Sequence, residues 1–276
     1  MGKILVGIDY GPACVAALHA ALELRRILRD PLVLYHAYQL PKGLPFLSAH
    51  VIEAMEDEAR KSAQKKLKEF LSKEIHPANR RGIKLITHQD FVTDGIYRYL
   101  ATENCSLLAI GSQNENTEAG GSLGFHARHF IFQAPVPVLI AFPESRPTWQ
   151  RPMVIYDRKF SSPLGRRFLR RLARRSQSEF IGLPLLRYEK LLHLLHRKLH
   201  NLLGKPEKYT PVMWKDELLI RLILQMALHY KSDVLIVLAD KRKFVEGLQR
   251  IPPSDMKGQP AWVFFPALAQ SEPASA

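Results

Sequence analysis

The stretch from Leu107 to Phe142, LLAIGSQNENTEAGGSLGFHARHFIFQAPVPVLIAF, constrains the fold more than any other part of the chain. Leu107–Ile110 is a short apolar run that stops at Gly111. Small and polar residues follow, with glycines at 120, 121 and 124. A helical pattern then leads to Ala134-Pro135-Val136-Pro137 and a second apolar run, Val138–Phe142. The pattern predicts a buried strand, a glycine loop, a helix and another buried strand. Such a loop can cradle an anion. Glycine lets the backbone approach closely, and the first-turn N–H groups of a helix lack intrahelical partners.

The rest of the first half alternates in the same way. Strands are predicted at 3–9, 32–38 and 82–89, and helices at 14–29, 51–75 and 93–103. In the first helix Cys14, Leu18, Ala21, Leu24 and Leu28 form the apolar stripe, while His19 and Glu23 fall off it. Alternating strands and helices imply a parallel sheet covered on both faces, with ligands at the carboxyl ends of the strands. ESRPTWQRP, residues 144–152, reads as a linker. Beyond it the alternation restarts, with strands at 153–156, 179–186, 209–215, 233–238 and 261–265 and helices at 161–175, 188–203 and 218–230. This order predicts an internal repeat. The expected fold class is α/β: two doubly wound parallel-sheet domains, residues 1–145 and 151–276, with helices on both faces, packed as a pseudo-dimer. The second copy has Leu238-Ala239-Asp240-Lys241 where the first has its glycine loop, and an aspartate there repels phosphate.

The motif spacing resembles that of the universal stress proteins: Gly, two residues, Gly, nine residues, then Gly-Ser or Gly-Thr before a helix and a Pro-X-Pro-Val-Leu strand. Here Gly111 takes the first glycine, Asn114 stands at the second, and Gly124-Phe125 stand at the Gly-Ser pair. KILVGIDYGPACVAALHAALELRRIL and PLVLYHAYQLP are similar to the family's first strand and helix and its second strand. The resemblance covers residues 1 to about 145. It implies an adenine-nucleotide alpha-hydrolase-like fold and a stress-response binding protein rather than a dedicated enzyme. It also implies a nucleotide site for ATP with Mg, or AMP. Asp9 would lie by the ribose, Ala37 by the adenine, and Gly111, Asn114, Gly124 and Phe125 by the phosphates. Phe125 removes a hydroxyl that family members use. Ser122 offers one in a shifted register, and Arg128, with His126 or His129, offers positive charge. The family also pairs the last strands of its two domains, here 136–142 with 261–265, which implies an intramolecular pairing and leaves room for a homodimer.

Charge is distributed unevenly. Residues 1–150 hold 17 Lys and Arg against 15 Asp and Glu; residues 151–276 hold 23 against 11. The helix at 161–175 carries Arg166, Arg170 and Arg174 in one i, i+4 row and Arg167, Arg171 and Arg175 in another. This basic patch suits an anionic partner, with a solvated face paired to acidic residues of the first domain as the plainer reading. Regulation through a nucleic acid or acidic protein is therefore one alternative function. Slow ATP hydrolysis assisted by Asp9 is another, although no catalytic motif is present. His193, His196 and His200 share one helix edge but read as boundary residues rather than metal ligands, because Arg197 and Lys198 oppose a cation. Two cysteines, no signal-like start and no apolar run of membrane-spanning length predict a cytoplasmic protein without a membrane span.

Overall fold

The computed structural model describes residues 2–40, 48–113, 122–157, 162–186, 208–209, 212–213 and 219–266. The expected helix at 188–203, with its three histidines, lies outside these residues, as does Asn114. In the first half the elements are β1 (Lys3–Gly7), α1 (Pro12–Leu28), β2 (Leu32–Tyr38), α2 (Ala49–Glu74), β3 (Ile83–Gln89), α3 (Val92–Thr102), β4 (Cys105–Gly111), α4 (Phe125–Gln133) and β5 (Val138–Ala141). The second half contains β6 (Pro152–Tyr156), α5 (Pro163–Arg175), β7 (Ile181–Leu186), β8 (Lys208–Tyr209), β9 (Val212–Met213), α6 (Leu219–His229), β10 (Val234–Leu238), α7 (Lys241–Gln249) and β11 (Ala261–Phe264).

The described strands join one sheet in the order β3-β2-β1-β4-β5-β11-β10-β6-β7-β8, with β9 continuing alongside β7. Read outward from the middle, the two halves follow the same chain order. The strands within each half are parallel; β5 and β11 meet antiparallel, with Leu139 opposite Val263. The pairing closes an edge that each half would otherwise expose. The central strands are Val-, Ile- and Leu-rich without alternation, as strands covered on both faces must be.

Two apolar layers sandwich the sheet, and each draws on both halves. Ala16, Ala17, Leu24, Leu67 and Leu169 lie on one side; Ile96, Ala127, Phe130, Ile223 and Phe244 lie on the other. The alanine-rich face of α1 lets that helix sit close to the sheet. Its C-terminal end also meets α5 of the second half. Ser162 caps α5 as its position before Pro163 predicts: its Oγ accepts from the Gly165 N–H at 3.1 Å.

The segment at 144–152 is not a free linker. Trp149 is fully buried, its Nε1 donates to the Ala20 carbonyl at 3.1 Å, and its ring lies 6.2 Å from Phe168. It wedges the crossover between α1 and α5, so the connection is part of the core. Helix α7 is an element that the sequence pattern does not predict. Asp240 caps it by accepting from the Arg242 N–H at 3.1 Å, and Phe244, Val245 and Leu248 form its buried stripe. Lys241 at its start donates to the Ile131 carbonyl at 2.7 Å, where α4 of the first half ends and its carbonyls are unsatisfied.

Candidate functional site

The strand order reverses between β1 and β4, since the chain runs outward through β2 and β3 on one side and through β5 on the other. A crevice opens at the carboxyl ends of the strands at such a reversal. The sequence places Asp9, Ala37, Gly111 and Gly124 around that crevice. Asp9 follows β1, and its Oδ1 accepts from the Gly11 N–H at 2.9 Å, which fixes the turn into α1. Ala37 lies near the end of β2, and Gly111 ends β4.

Gly111 is required for packing. A Cβ there would sit 2.8 Å from the Cys14 N and 2.9 Å from the Ala13 carbonyl carbon. The strand end therefore touches the first turn of α1, backbone against backbone. The ends of the loop are tied together: the Gly124 N–H donates to the Ser112 carbonyl at 2.8 Å, and the Ser112 N–H donates to Ala141 at 2.8 Å. Gly124 occupies the N-cap of α4 in an extended conformation. Among the described residues no side chain caps this helix end, and its first turn holds no acidic residue. The N-terminus of α1 is likewise uncapped by a side chain and free of acids in its first turn. Both termini carry the partial positive charge of aligned peptide dipoles.

Phe125 does not fill the crevice. It is 64% exposed and stacks on His129 at 5.9 Å, with His126 edge-on at 5.5 Å and Tyr97 of α3 5.6 Å from His129. Of the four groups expected to replace its lost hydroxyl or add charge, Ser122 and Arg128 are engaged elsewhere. Ser122 is buried and its Oγ donates to the Leu248 carbonyl of α7. Arg128 faces Gln249: with the amide oriented to satisfy both groups, the Gln249 oxygen accepts from Nη1 and Nε at 2.9 and 3.1 Å. Burial, reinforced by neighbouring His129, pushes the His126 imidazole below its ordinary pKa, so it stays neutral near pH 7. Asp9 acts on His126 in the opposite direction; by topology it follows β1, which pairs with β4, the strand that leads into the loop before α4.

A cation that the motif does not contain stands beside Tyr10, the residue after Asp9. Lys66 of α2 holds its Nζ 4.2 Å from the centre of the Tyr10 ring. Tyr10 follows Asp9 with a left-handed φ of 72°, uncommon for a bulky residue. Its ring packs against His36 at 4.7 Å and Phe70 at 5.3 Å. Burial raises its phenol well above the usual range and keeps it neutral. The His36 Nδ1 lies 2.9 Å from the Ile8 carbonyl, tying the ends of β1 and β2 together. Burial is also the main cause that lowers the His36 pKa. The sequence signal for this group is weak: Tyr10 and His36 adjoin Asp9 and Ala37, but only the fold brings Lys66 from the fifth turn of a separate helix.

The six arginines of α5 line one groove of about 600 Å³ together with Pro163. They are not equivalent. Arg171 grips Asp30 with both guanidinium arms, Nη1 at 2.7 Å and Nη2 at 2.5 Å, and donates to the Leu28 carbonyl at 3.0 Å. Arg175 also donates to Leu28. These two serve the end of α1, whose carbonyls and negative dipole favour cations. Among the described residues no cluster of three His, Cys, Asp or Glu can hold a metal ion. Among them, too, no helix is long and apolar enough to cross a membrane.

Residues 1–141 match the family model for the universal stress protein family. The chain belongs to that family. A universal stress protein from Archaeoglobus fulgidus is similar over 96% of each chain, with a TM-score of 0.64 and 14% identity. A Pseudomonas aeruginosa protein described as a universal stress protein is similar over 96% of this chain and 92% of its own, with a TM-score of 0.53 and 13% identity. At these identities the likeness shows the fold alone, and it extends across both halves. Among curated proteins no match is found.

Proposed function

We propose that this universal stress protein is a cytoplasmic stress-response binding protein whose first half takes an adenine nucleotide, with Mg for ATP, and whose second half is a diverged copy of the same domain. The observation that carries the reading is the N-terminus of α4, without a side-chain cap among the described residues, which follows β4 at the reversal of strand order, with Asp9 in the turn after the neighbouring β1. Unsatisfied N–H groups and a helix dipole suit a phosphate. Asp9 suits a ribose hydroxyl, and the end of β2 at Ala37 offers backbone to a base. Lys66, over the Tyr10 ring, adds positive charge beside the turn that carries Asp9. One hydrogen bond to a charged group is worth about 1.5–3 kcal/mol, so binding should be roughly 10–100-fold weaker than with a hydroxyl at 125.

The test is calorimetric titration of ligand-free protein with Mg-ATP, ADP and AMP, with released ADP followed to report any turnover. Gly124→Asp is the informative variant. Gly124 has the extended backbone that suits an N-cap aspartate, so α4 should be unharmed or stabilised by a few tenths of a kcal/mol. The new carboxylate would repel phosphate. Binding that is lost in this variant while the melting temperature holds supports the site. Unchanged binding, or no heat with wild type up to millimolar nucleotide, removes it. Gly111 variants are unsuitable for this purpose, because any side chain there displaces α1.

A further inference from the structure

Two helices of this protein are dense in charge, and they handle it differently. On α2 several cations are neutralised within the helix: Asp57 pairs with Lys61 at 2.8 Å and with Arg60, and Lys65 faces Glu69 at 4.0 Å. That is a solvated face. Helix α5 has no acidic residue at all. Its rows create four Arg–Arg pairs at i, i+4, each unfavourable by about 0.2–0.5 kcal/mol. The fold uses Arg171 and Arg175, at the end of α1. Arg166, Arg167, Arg170 and Arg174 make no ion pair among the described residues, and the last three are exposed.

The basic surface does not end with α5. Across the Arg171–Asp30 contact lies a second groove of about 660 Å³, lined by Arg25, Arg26, Arg29 and Arg81 of the first half. Arg25 is held by the carbonyls of Asn79 and Arg81, and Arg26 pairs with Glu23. Arg29 and Arg81 make no ion pair among the described residues. The one acid in either groove is Asp30, which is fully buried and already matched by Arg171. The seam between the halves thus carries six uncommitted guanidinium groups over two adjoining grooves.

We infer that this seam is a docking surface for the phosphodiester backbone of duplex DNA. Guanidinium forks match phosphate oxygens bidentately, and lysine is absent from both linings. Successive arginines of a row step by about 6 Å along the helix, on the order of the step between neighbouring phosphates. Neither groove has an aromatic lining residue, so neither offers the stacking platform on which single strands depend. Arginine only donates hydrogen bonds, so the surface reads charge and not base edges. The surface is separate from the nucleotide crevice, and its test does not depend on that reading.

The experiment is fluorescence anisotropy of the full chain with labelled DNA duplexes of two unrelated sequences, from about 50 to about 200 mM salt. Four to six neutralised phosphates give a log–log slope between about −3.5 and −5.5, a loss of roughly 10²–10³ in affinity over that range. The two sequences should bind alike. Arg167→Glu, Arg170→Glu and Arg174→Glu together should abolish binding while the unfolding midpoint stays put. Reversing Lys65 and Lys68 on α2 should change little. Absence of binding at low salt, a flat salt dependence, or binding that survives the triple reversal overturns the inference. So does preference for a double-stranded RNA, for a single strand, or for polyglutamate as the stronger competitor.

Discussion

Arg171→Met should destabilise the protein far more than the same change at any neighbouring arginine. The Asp30 carboxylate is fully buried, and Arg171 supplies both of its charged hydrogen bonds; Ser106 Oγ donates a third at 3.0 Å. Methionine would keep most of the stem packing but leave the charge in place with one neutral donor. Removing one member of a buried pair costs about 3–5 kcal/mol, because the remaining ion is stranded. The retained Ser106 bond, and the 25% exposure of Arg171, place the expected cost near the lower end, about 3 kcal/mol. Urea unfolding followed by tryptophan emission reads this directly, since Trp149 is buried beside the same seam. With m near 3 kcal/mol/M, the midpoint should fall by about 1 M. Asp30→Asn should cost less, about 1–2 kcal/mol, since Arg171 can regain water. Arg171→Met with Asp30→Leu should recover part of the loss, a coupling of at least about 1 kcal/mol. Arg170→Met, on the exposed row, should stay within about 0.5 kcal/mol of wild type. If Arg171→Met costs no more than Arg170→Met, the contact does not join the halves and the reasoning fails.

Three further outcomes follow from the packing and the buried groups. Trp149→Ala should cost about 3–5 kcal/mol in the same unfolding assay, since it empties the wedge between α1 and α5; a cost near zero would mean the connection is a linker after all. Gly111→Ala should cost about 1–3 kcal/mol and weaken nucleotide binding together with stability, because the added methyl meets the backbone of α1; calorimetry and melting on one sample would show whether the two losses coincide. The His36 imidazole is held below its ordinary pKa of 6.5, mainly by burial, so the fold keeps it neutral while the unfolded chain protonates first. Stability is therefore full above about pH 6.5 and declines as pH falls toward the folded-state pKa. His36→Gln should flatten that acid limb in unfolding midpoints taken between about pH 7.5 and about pH 5, and an unchanged limb would assign the sensitivity to other groups.

Much of the fold was legible because its strands are buried on both faces. A strand between two helical layers must be apolar throughout, so Leu107–Ile110, Val138–Ala141 and Val234–Val237 stand out in the sequence. Their boundaries moved by a residue or two where chain direction, not hydropathy, ends a strand: β1 stops at Gly7 and Asp9 belongs to the turn. Helix α7 escaped notice because its first turn, Lys241-Arg242-Lys243, reads as a charge run. The buried stripe of Phe244, Val245 and Leu248 becomes a helix face only against Trp262 and the second apolar layer.

Local pattern determined the alternation of strands and helices, the glycine loop after β4 and the cap at Ser162, each resting on interactions within a few residues, and composition alone gives the cation surplus of the second half. Tertiary structure decided which of those groups are spent. Arg171 meets Asp30 across 141 positions of sequence, Ser122 meets Leu248 across 126, and Trp149 meets Ala20 across 129. Such contacts form only after the sheet has brought β5 beside β11 and set α1 against α5. A guanidinium that neutralises a buried carboxylate and one that waits on the surface look identical in the sequence. Burial and the position of the partner separate them, and both are properties of the packed chain.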